Sequence, residues 1–446
     1  MKKIELTRAY VDGNTIRYEI REDSGLGLLQ QERVELFIQY HFNETFDCEL
    51  SVLPPSILML PISLYMIPIT CFCNVELVIP EMDEDLYSRL PQINSVYSKL
   101  YGPFKEGHQG KVTVKQIVKN SFSGTPKYDK IVFFSGGVDA CHAGIGNPGV
   151  RSLLVSVPDI EIYSKNKGPL RDVKFSLIKN FSKIVGSDWL LVSNNFNACF
   201  AQNQEVDRWL AEARDMSVPA RITDGWAGIR YIPNMCCIAP IAYLTGVKSL
   251  IMGSGCLEIE GKYEENLDGA NPAITNAMTF AGVSFAEQDG LYSRRSMKVK
   301  EIISWCKAHD KRVKLWVCFS DSTAQCGFCG KCVRTQLNVL CEGENPRDWG
   351  FDAFSENRLA KCIRDYQYRE GHACFLWDII ETIEDRRVYP YLNGLLHWLK
   401  KVGYKEYIHR VEKRKKPTRL KRALSIRRYP HYAKVVVLKL FGRYGK

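Results

Sequence analysis

The sequence predicts an α/β protein whose central domain is built on a parallel sheet. Short apolar segments recur from residue 131 onward, and helix-compatible stretches such as 171–186 and 232–246 separate them. Strands that alternate with helices form parallel sheets covered on both faces. Two local patterns also fall in this part of the chain: a glycine-rich turn directly after the first apolar segment, and a cluster of four cysteines. The predicted strands lie at 131–134, 152–157, 189–193 and 249–253.

The chain of 446 residues is long enough for more than one hydrophobic core. Alternating segments at 15–20 and 33–42 and a helical pattern at 83–102 predict an N-terminal α+β domain over residues 1–125. Residues 120–130 are polar, contain glycine and proline, and are typical of a linker. We expect the central α/β domain at 126–345 and a basic, mainly helical extension at 346–446.

Targeting and membrane segments are not evident in the sequence. The amino terminus alternates as a strand does, rather than joining a charged and an apolar region as a signal peptide does. The longest apolar stretch, 54–72, contains Pro54, Pro55, Pro61 and Pro68, which favours a buried helix or strand over a membrane span. The sequence therefore predicts a cytoplasmic protein.

The glycine-rich turn reads Ser135, Gly136, Gly137, Val138, Asp139. Glycines let the backbone approach a ligand closely, and successive N–H groups at a helix start form a nest for anions. The Ser135 hydroxyl adds a donor, and the Asp139 carboxylate, which we expect to face solvent at the strand end, can hold Mg²⁺. The alternative is a strand-to-helix turn that binds nothing.

This turn resembles the PP-loop of the ATP pyrophosphatase superfamily, whose pattern is Ser-Gly-Gly-x-Asp-Ser/Thr. The resemblance implies an adenine nucleotide alpha hydrolase-like fold, ATP and Mg²⁺ as cofactors, and catalytic roles for Ser135 and Asp139. Members cleave ATP between the α and β phosphates, adenylate a substrate oxygen and let a nitrogen or sulfur nucleophile displace AMP. Ala140 departs from the pattern, because the family has a hydroxyl there.

Four cysteines, Cys318, Cys326, Cys329 and Cys332, follow the spacing C-x7-C-x2-C-x2-C. Four thiolates suit a tetrahedral Zn²⁺, and glycines between them let the backbone turn around the metal. An iron–sulfur cluster is the other metal that this set could hold, and four unrelated thiols are the alternative without metal. A site with four protein ligands should be structural, and we expect it to hold the loop beside the active cleft.

The turn and the cysteines together resemble the 7-cyano-7-deazaguanine synthases, nitrile-forming enzymes of the queuosine pathway, over residues 128–345. Residues 218–222 match a segment of those enzymes in part. The chain as a whole resembles longer, little-characterised PP-loop proteins often found with surface-polysaccharide genes. That likeness rests on 269–272 and 287–298, which offer Asp289, Arg294 or Arg295, and Lys298.

The resemblance implies nucleotide binding by Arg294 and Arg295 and a catalytic role for Lys298. Cations in this position could stabilise developing phosphoryl charge. A solvated, charged helix start is the alternative.

Most of the net charge of +11 lies in the last part of the chain, where residues 410–446 carry 14 Lys and Arg and one acidic residue. This tail could bind RNA phosphates or an anionic membrane surface, or form a solvated helical end. The protein would then be cytoplasmic or peripheral to the inner face of the membrane. The sequence also leaves a homo-oligomer open.

These observations predict an ATP-dependent adenylating enzyme that forms a C–N bond on a small molecule, as the nitrile-forming enzymes do. A sugar-modifying, amidotransferase-type enzyme of surface-polysaccharide synthesis is the rival enzyme function. The hypothesis from another class is a nucleotide- or RNA-binding protein that has lost catalysis, which Ala140 and the basic tail motivate.

Overall fold

A computed structural model describes most of the chain. The described residues are 2–27, 35–108, 110–146, 150–158, 167–199, 203–215, 225, 228–229, 232, 236–253, 257–259, 262–264, 271–289, 294–318, 323–364, 373–381 and 390–415. Several segments that the sequence analysis singled out lie wholly or partly outside these ranges. The parts outside them are residues 33–34, 218–222, 233–235, 269–270, 290–293 and 416–446.

In the described part of the chain, ten strands form one sheet, and two short strands pair separately. In spatial order the large sheet runs β12-β9-β6-β7-β8-β3-β2-β1-β4-β5, while β10 pairs with β11. The strands are β1 (Lys2–Asp12), β2 (Thr15–Glu22), β3 (Leu36–His41), β4 (Val75–Asp83), β5 (Lys111–Val118), β6 (Lys130–Phe133), β7 (Ser152–Ser156), β8 (Asp188–Asn194), β9 (Ser249–Gly253), β10 (Leu257–Ile259), β11 (Lys262–Glu264) and β12 (Ser284–Asp289).

The sheet is mostly parallel, which confirms the predicted α/β class in its coarse form. Strands β12, β9, β6, β7 and β8 run in one direction, and β1, β4 and β5 are parallel to one another. Antiparallel pairs β1–β2, β2–β3 and β3–β8 join the two parallel groups. The four strands predicted from apolar segments are β6, β7, β8 and β9, each found within one or two residues of its predicted bounds.

Helices cover both faces of the sheet. The described helices are α1 (Pro55–Leu58), α2 (Leu60–Cys73), α3 (Glu84–Tyr101), α4 (Val138–Ile145), α5 (Lys167–Val185), α6 (Phe196–Cys199), α7 (Asn203–Ala213), α8 (Ala239–Thr245), α9 (Pro272–Ala277), α10 (Arg295–Ala308), α11 (Gly330–Cys341), α12 (Glu356–Arg364), α13 (Ala373–Glu381), α14 (Pro390–Val402) and α15 (Tyr404–Lys415). Short 3₁₀ helices lie at Leu50–Val52 and Pro346–Trp349.

Successive residues of the central strands face two different hydrophobic cores. In β7, Leu153 and Val155 join the core that contains α1, α2 and α3, whereas Leu154 joins the core that contains α4, α10 and α11. Side chains alternate between the faces of a strand, so a sheet with apolar residues at every position must be covered on both sides. This arrangement leaves the strand ends as the accessible part of the sheet.

The N-terminal region shares the sheet and one core with the central region. Strand β3 pairs with β8, so the hydrogen-bonded ladder crosses the predicted boundary at residue 125.

The proline-containing apolar stretch folds as α1 and α2, and residues Leu60–Phe72 of α2 are buried, which agrees with the interpretation as a buried helix. No helix in the described part of the chain is both long and apolar enough to span a bilayer.

The C-terminal helices pack on the second core. Leu392, Leu396 and Leu399 lie on one side of α14 and are fully buried there. In α15, Tyr407 is also fully buried, and its ring lies 5.5 Å from that of Trp377 in α13. Residues up to at least Tyr407 are therefore part of the packed structure and not a solvated end.

Candidate anion site beside a four-cysteine cluster

The glycine loop, residues 135–139, connects the carboxyl end of β6 to the start of α4. Gly136 has φ +83°, a conformation that favours glycine, and a Cβ there would lie 3.2 Å from the Cβ of Trp316. Gly253 ends the neighbouring strand β9, and a Cβ on it would lie 2.5 Å from the carbonyl carbon of Asp139. Glycines therefore let α4 begin tightly against β9, at the strand ends where ligands bind in parallel sheets.

Asp139 is paired with two cations from helix α10. Its carboxylate accepts hydrogen bonds from Arg295 and from Lys298, whose Nζ lies 3.4 Å away. The Lys298 side chain is 0 % exposed and that of Asp139 is 19 % exposed. The expectation that Asp139 faces solvent is therefore wrong, because α10 packs against α4 and covers it.

The charges around Asp139 decide its protonation. Burial acts to raise the pKa of Asp139, but the nearby Arg295, Lys298 and Arg334 outweigh it and hold the pKa below its ordinary value. Arg334 belongs to α11 and is buried. Among the described residues that set this pKa, cations outnumber the carboxylate by three to one at the start of α4. Such a place favours a bound anion.

The two neighbouring arginines have different partners. Arg295 reaches Asp139, whereas Nη1 of Arg294 lies 3.3 Å from Asp378 and 3.4 Å from Glu381, both in α13. Among the pairs described for these residues, Arg295 and Lys298 contact the glycine loop and Arg294 joins α10 to α13. Asp289 is the last residue of β12 and pairs in register with Gly253, so its backbone lies at the same edge of the sheet.

Two groups that the sequence analysis did not identify bind the carbonyls of the glycine loop. The Lys174 ammonium, from α5, donates to the Ser135 carbonyl oxygen at 2.9 Å, and the Trp316 N–H donates to the Gly136 carbonyl oxygen at 2.6 Å. The Lys174 side chain is buried. Nothing in the local sequence marks these contacts, because they depend on how α5 and the segment before Cys318 pack around the loop.

The four predicted metal ligands lie together. Their Sγ atoms are all within 4.8 Å of one another, with Cys318 4.0 Å from Cys329 and Cys326 3.9 Å from Cys332. Tetrahedral ligands at zinc–sulfur bond lengths would be roughly 3.8 Å apart. None of these four cysteines forms a disulfide bond. The donor set and its spacing therefore fit a metal such as Zn²⁺.

Backbone groups support this cluster as they do in metal–thiolate sites. The N–H of Cys326 donates to Sγ of Cys318, and the N–H of Cys329 donates to Sγ of Cys326, each at 3.3 Å. A hydrogen bond from the Cys318 thiol lowers the pKa of Cys326, a shift in the direction that favours the thiolate. Gln336 Nε2 bonds the carbonyls of Gly327 and Cys332, both at 2.9 Å, and so ties the turn to α11.

Comparisons of the chain with protein-family models, with curated proteins and with solved structures gave no match. The chemistry of the site must therefore be argued from its own residues. These are a glycine loop at a helix start, one ionised carboxylate among three cations, and a four-cysteine cluster on the segment that contacts the loop.

Proposed function

We propose that the chain is an ATP-dependent adenylating enzyme, related to the PP-loop ATP pyrophosphatases, that forms a C–N bond on a small molecule. The observation that carries this proposal is the meeting of Arg295 and Lys298 with the glycine loop at the start of α4. Loop N–H groups and fixed cations at a parallel strand end are the elements that bind a polyphosphate.

In the proposed reaction the glycine loop binds the β and γ phosphates of ATP. An oxygen of the substrate attacks the α phosphorus, the bond from that phosphorus to the bridging oxygen of the β phosphate breaks, and pyrophosphate leaves with the electron pair. A nitrogen nucleophile then displaces AMP and loses its proton. Arg295 and Lys298 would stabilise charge on the departing pyrophosphate, since they are already desolvated and oriented.

Mg²⁺ would neutralise phosphate charge when it is bound, and Asp139 is the residue of the loop that could hold it. That role requires Arg295 and Lys298 to transfer from the carboxylate to the phosphates. The exchange is chemically reasonable, because phosphate oxygens and a carboxylate are equivalent partners for a guanidinium or an ammonium group.

A second function is favoured by the same contacts. Asp139 is already engaged by two cations, and Ala140 lacks the hydroxyl of the PP-loop pattern. If the cations remain on Asp139, the chain would bind a nucleotide or RNA phosphate without cleaving ATP. The nearest reaction for an active enzyme is nitrile formation on a 7-deazaguanine, and the rival is amidation or similar modification of a sugar.

Incubation of the protein with α-³²P-labelled ATP, Mg²⁺, ammonium and a panel of carboxylic acids tests the proposal. Substrate-dependent formation of labelled AMP with equal release of pyrophosphate is expected. ATP binding without AMP formation under any condition would favour the non-catalytic function. Failure to bind ATP, AMP or pyrophosphate would refute both. Including 7-carboxy-7-deazaguanine and uronic acids in the panel separates the two substrate classes.

A further inference from the structure

We infer that Lys174 and the backbone of Trp316 are positioning groups that turn the peptide units of the glycine loop toward the anion, and that the four-cysteine cluster fixes Trp316 for this task. This inference rests on the proposed function, since it requires that the loop binds phosphate. It concerns how the loop is held in a binding geometry before a ligand arrives.

The argument starts from the planarity of the peptide unit. In a trans peptide the C=O of one residue and the N–H of the next point in opposite directions. Lys174 binds the Ser135 carbonyl, so the N–H of Gly136 is directed away from α5. Trp316 binds the Gly136 carbonyl, so the N–H of Gly137 is directed away from Trp316, and it donates to the Ser135 hydroxyl oxygen at 3.4 Å. Both carbonyls are thereby held away from an anion that binds the Gly136 N–H and the Ser135 hydroxyl group.

These two hydrogen bonds hold the peptide units of the loop in this orientation. Gly136 and Gly137 have no side chains, and glycine peptides rotate more freely than others. Carbonyl oxygens that rotated inward would repel a phosphate. Donors that are fixed in advance cost no reorganisation when the ligand binds. A buried lysine that binds one carbonyl and a backbone N–H that binds the next therefore supply affinity indirectly.

The Trp316 segment is itself fixed from the other side. Gln325 Oε1 accepts from the N–H of Val317 at 2.9 Å, and Gln325 Nε2 donates to the carbonyls of Leu315 at 3.0 Å and Gly350 at 2.7 Å. Cys318 follows two residues after Trp316 and belongs to the cysteine cluster. Residues 315–318 thus lie between the glycine loop and the candidate metal site. A contact that fixes this segment at the cysteine cluster therefore also fixes it where it meets the glycine loop.

Pyrophosphate is the probe for this inference, because it fits the loop without requiring turnover. We expect Lys174→Met to keep the metal and the fold but to weaken pyrophosphate binding about tenfold in calorimetry, a loss typical of one or two hydrogen bonds. Lys174→Arg, which keeps a cationic donor on a long stem, should recover most of the affinity. Gln325→Leu changes no charge and should also weaken binding, through the Trp316 segment.

The outcomes separate the inference from the proposed function. If wild-type protein does not bind pyrophosphate, the proposed function fails. If wild-type protein binds and Lys174→Met binds equally well, the positioning role is wrong. If Lys174→Met weakens binding but Lys174→Arg does not recover it and both lose thermal stability equally, Lys174 is only a structural residue. Metal content measured in every variant shows whether the cysteine cluster is intact.

Discussion

The Asp139 carboxylate and the Lys298 ammonium lie 3.4 Å apart although 159 residues separate them in the chain. Lys298 is fully buried, and the Asp139 carboxylate compensates its charge in the folded protein. This pair joins α4 to α10, and the contact between His142 and Glu301 joins the same helices farther along. The group proposed to act in chemistry therefore also stabilises the packing of the site.

Replacing Asp139 with Asn should destabilise the fold as well as remove nucleotide chemistry. Breaking a buried ion pair removes the opposite charge from a desolvated partner, at a cost of about 3 kcal/mol. The double variant Asp139→Asn with Lys298→Met removes both charges and should recover much of this free energy of unfolding in urea titrations. Equal stability of wild type and Asp139→Asn would show that the pair contributes nothing.

Acid should abolish the stabilisation that Asp139 supplies. Because the pKa of Asp139 is lowered in the folded protein, its contribution is fully present above the ordinary value of 3.8 and is lost as pH falls through the folded value. The difference in unfolding free energy between wild type and Asp139→Asn should thus be constant from neutral pH down to about pH 5 and shrink below pH 4. A difference that instead grew on acidification would contradict this assignment.

The adjacent arginines allow a matched comparison. We expect Arg295→Gln to weaken pyrophosphate binding ten- to a hundredfold, as the loss of a charged hydrogen bond to phosphate does. Arg294→Gln removes the same charge one residue away, where the side chain pairs with Asp378 and Glu381. It should lower the melting temperature and leave the affinity nearly unchanged. Equal losses of affinity in both variants would mean that general charge, and not position, governs binding.

Local patterns in the sequence predicted the parts of this structure that depend on local interactions. Short apolar runs predicted β6, β7, β8 and β9, and the close spacing of the four cysteines predicted their cluster. The sequence could not show whether Arg294 or Arg295 contacts the glycine loop. Successive residues at a helix start point about 100° apart, and only tertiary packing decides which one faces α4. Lys174 and Arg334 were missed for the same reason.

The C-terminal region shows a signal that was present but outweighed. Residues 346–446 were predicted to form a basic, mainly helical extension, with no prediction of which helix faces are buried. Leu392, Leu396 and Leu399 are spaced by four and three residues, the spacing of one buried helix face, and they pack on the second core. The charge of the region therefore did not predict how the described helices before residue 416 pack.

Metal analysis should find one zinc per chain, bound by Cys318, Cys326, Cys329 and Cys332. Cys329→Ser should lose the metal and lower thermal stability, because binding free energy of a structural zinc is folding free energy. Cys48→Ser is the control, since Cys48 lies outside the cluster. Iron with a visible absorption band, or wild-type protein without metal, would overturn the zinc assignment.

Truncation of the basic tail should be made after Lys415, because α15 is part of the packed structure. Tyr407 is buried, and the Arg410 guanidinium lies 5.3 Å from the ring of Trp398, which is 45 % exposed. Residues 416–446 carry ten Lys and Arg and no acidic residue. Their removal takes away most of the positive charge without cutting a described helix.

The truncated protein should bind pyrophosphate as wild type does, since the contacts described for the anion site come from residues 135–334. Binding to vesicles of phosphatidylserine and phosphatidylcholine, or to RNA, should collapse. Binding of the wild-type protein to vesicles or RNA should weaken steeply as the salt concentration rises, because neutralised phosphates release counterions. We propose the membrane surface as the partner if vesicles bind more tightly than RNA, and RNA in the reverse case. Loss of folding or of pyrophosphate binding on truncation would show instead that the tail is packed structure, and both partners would be rejected.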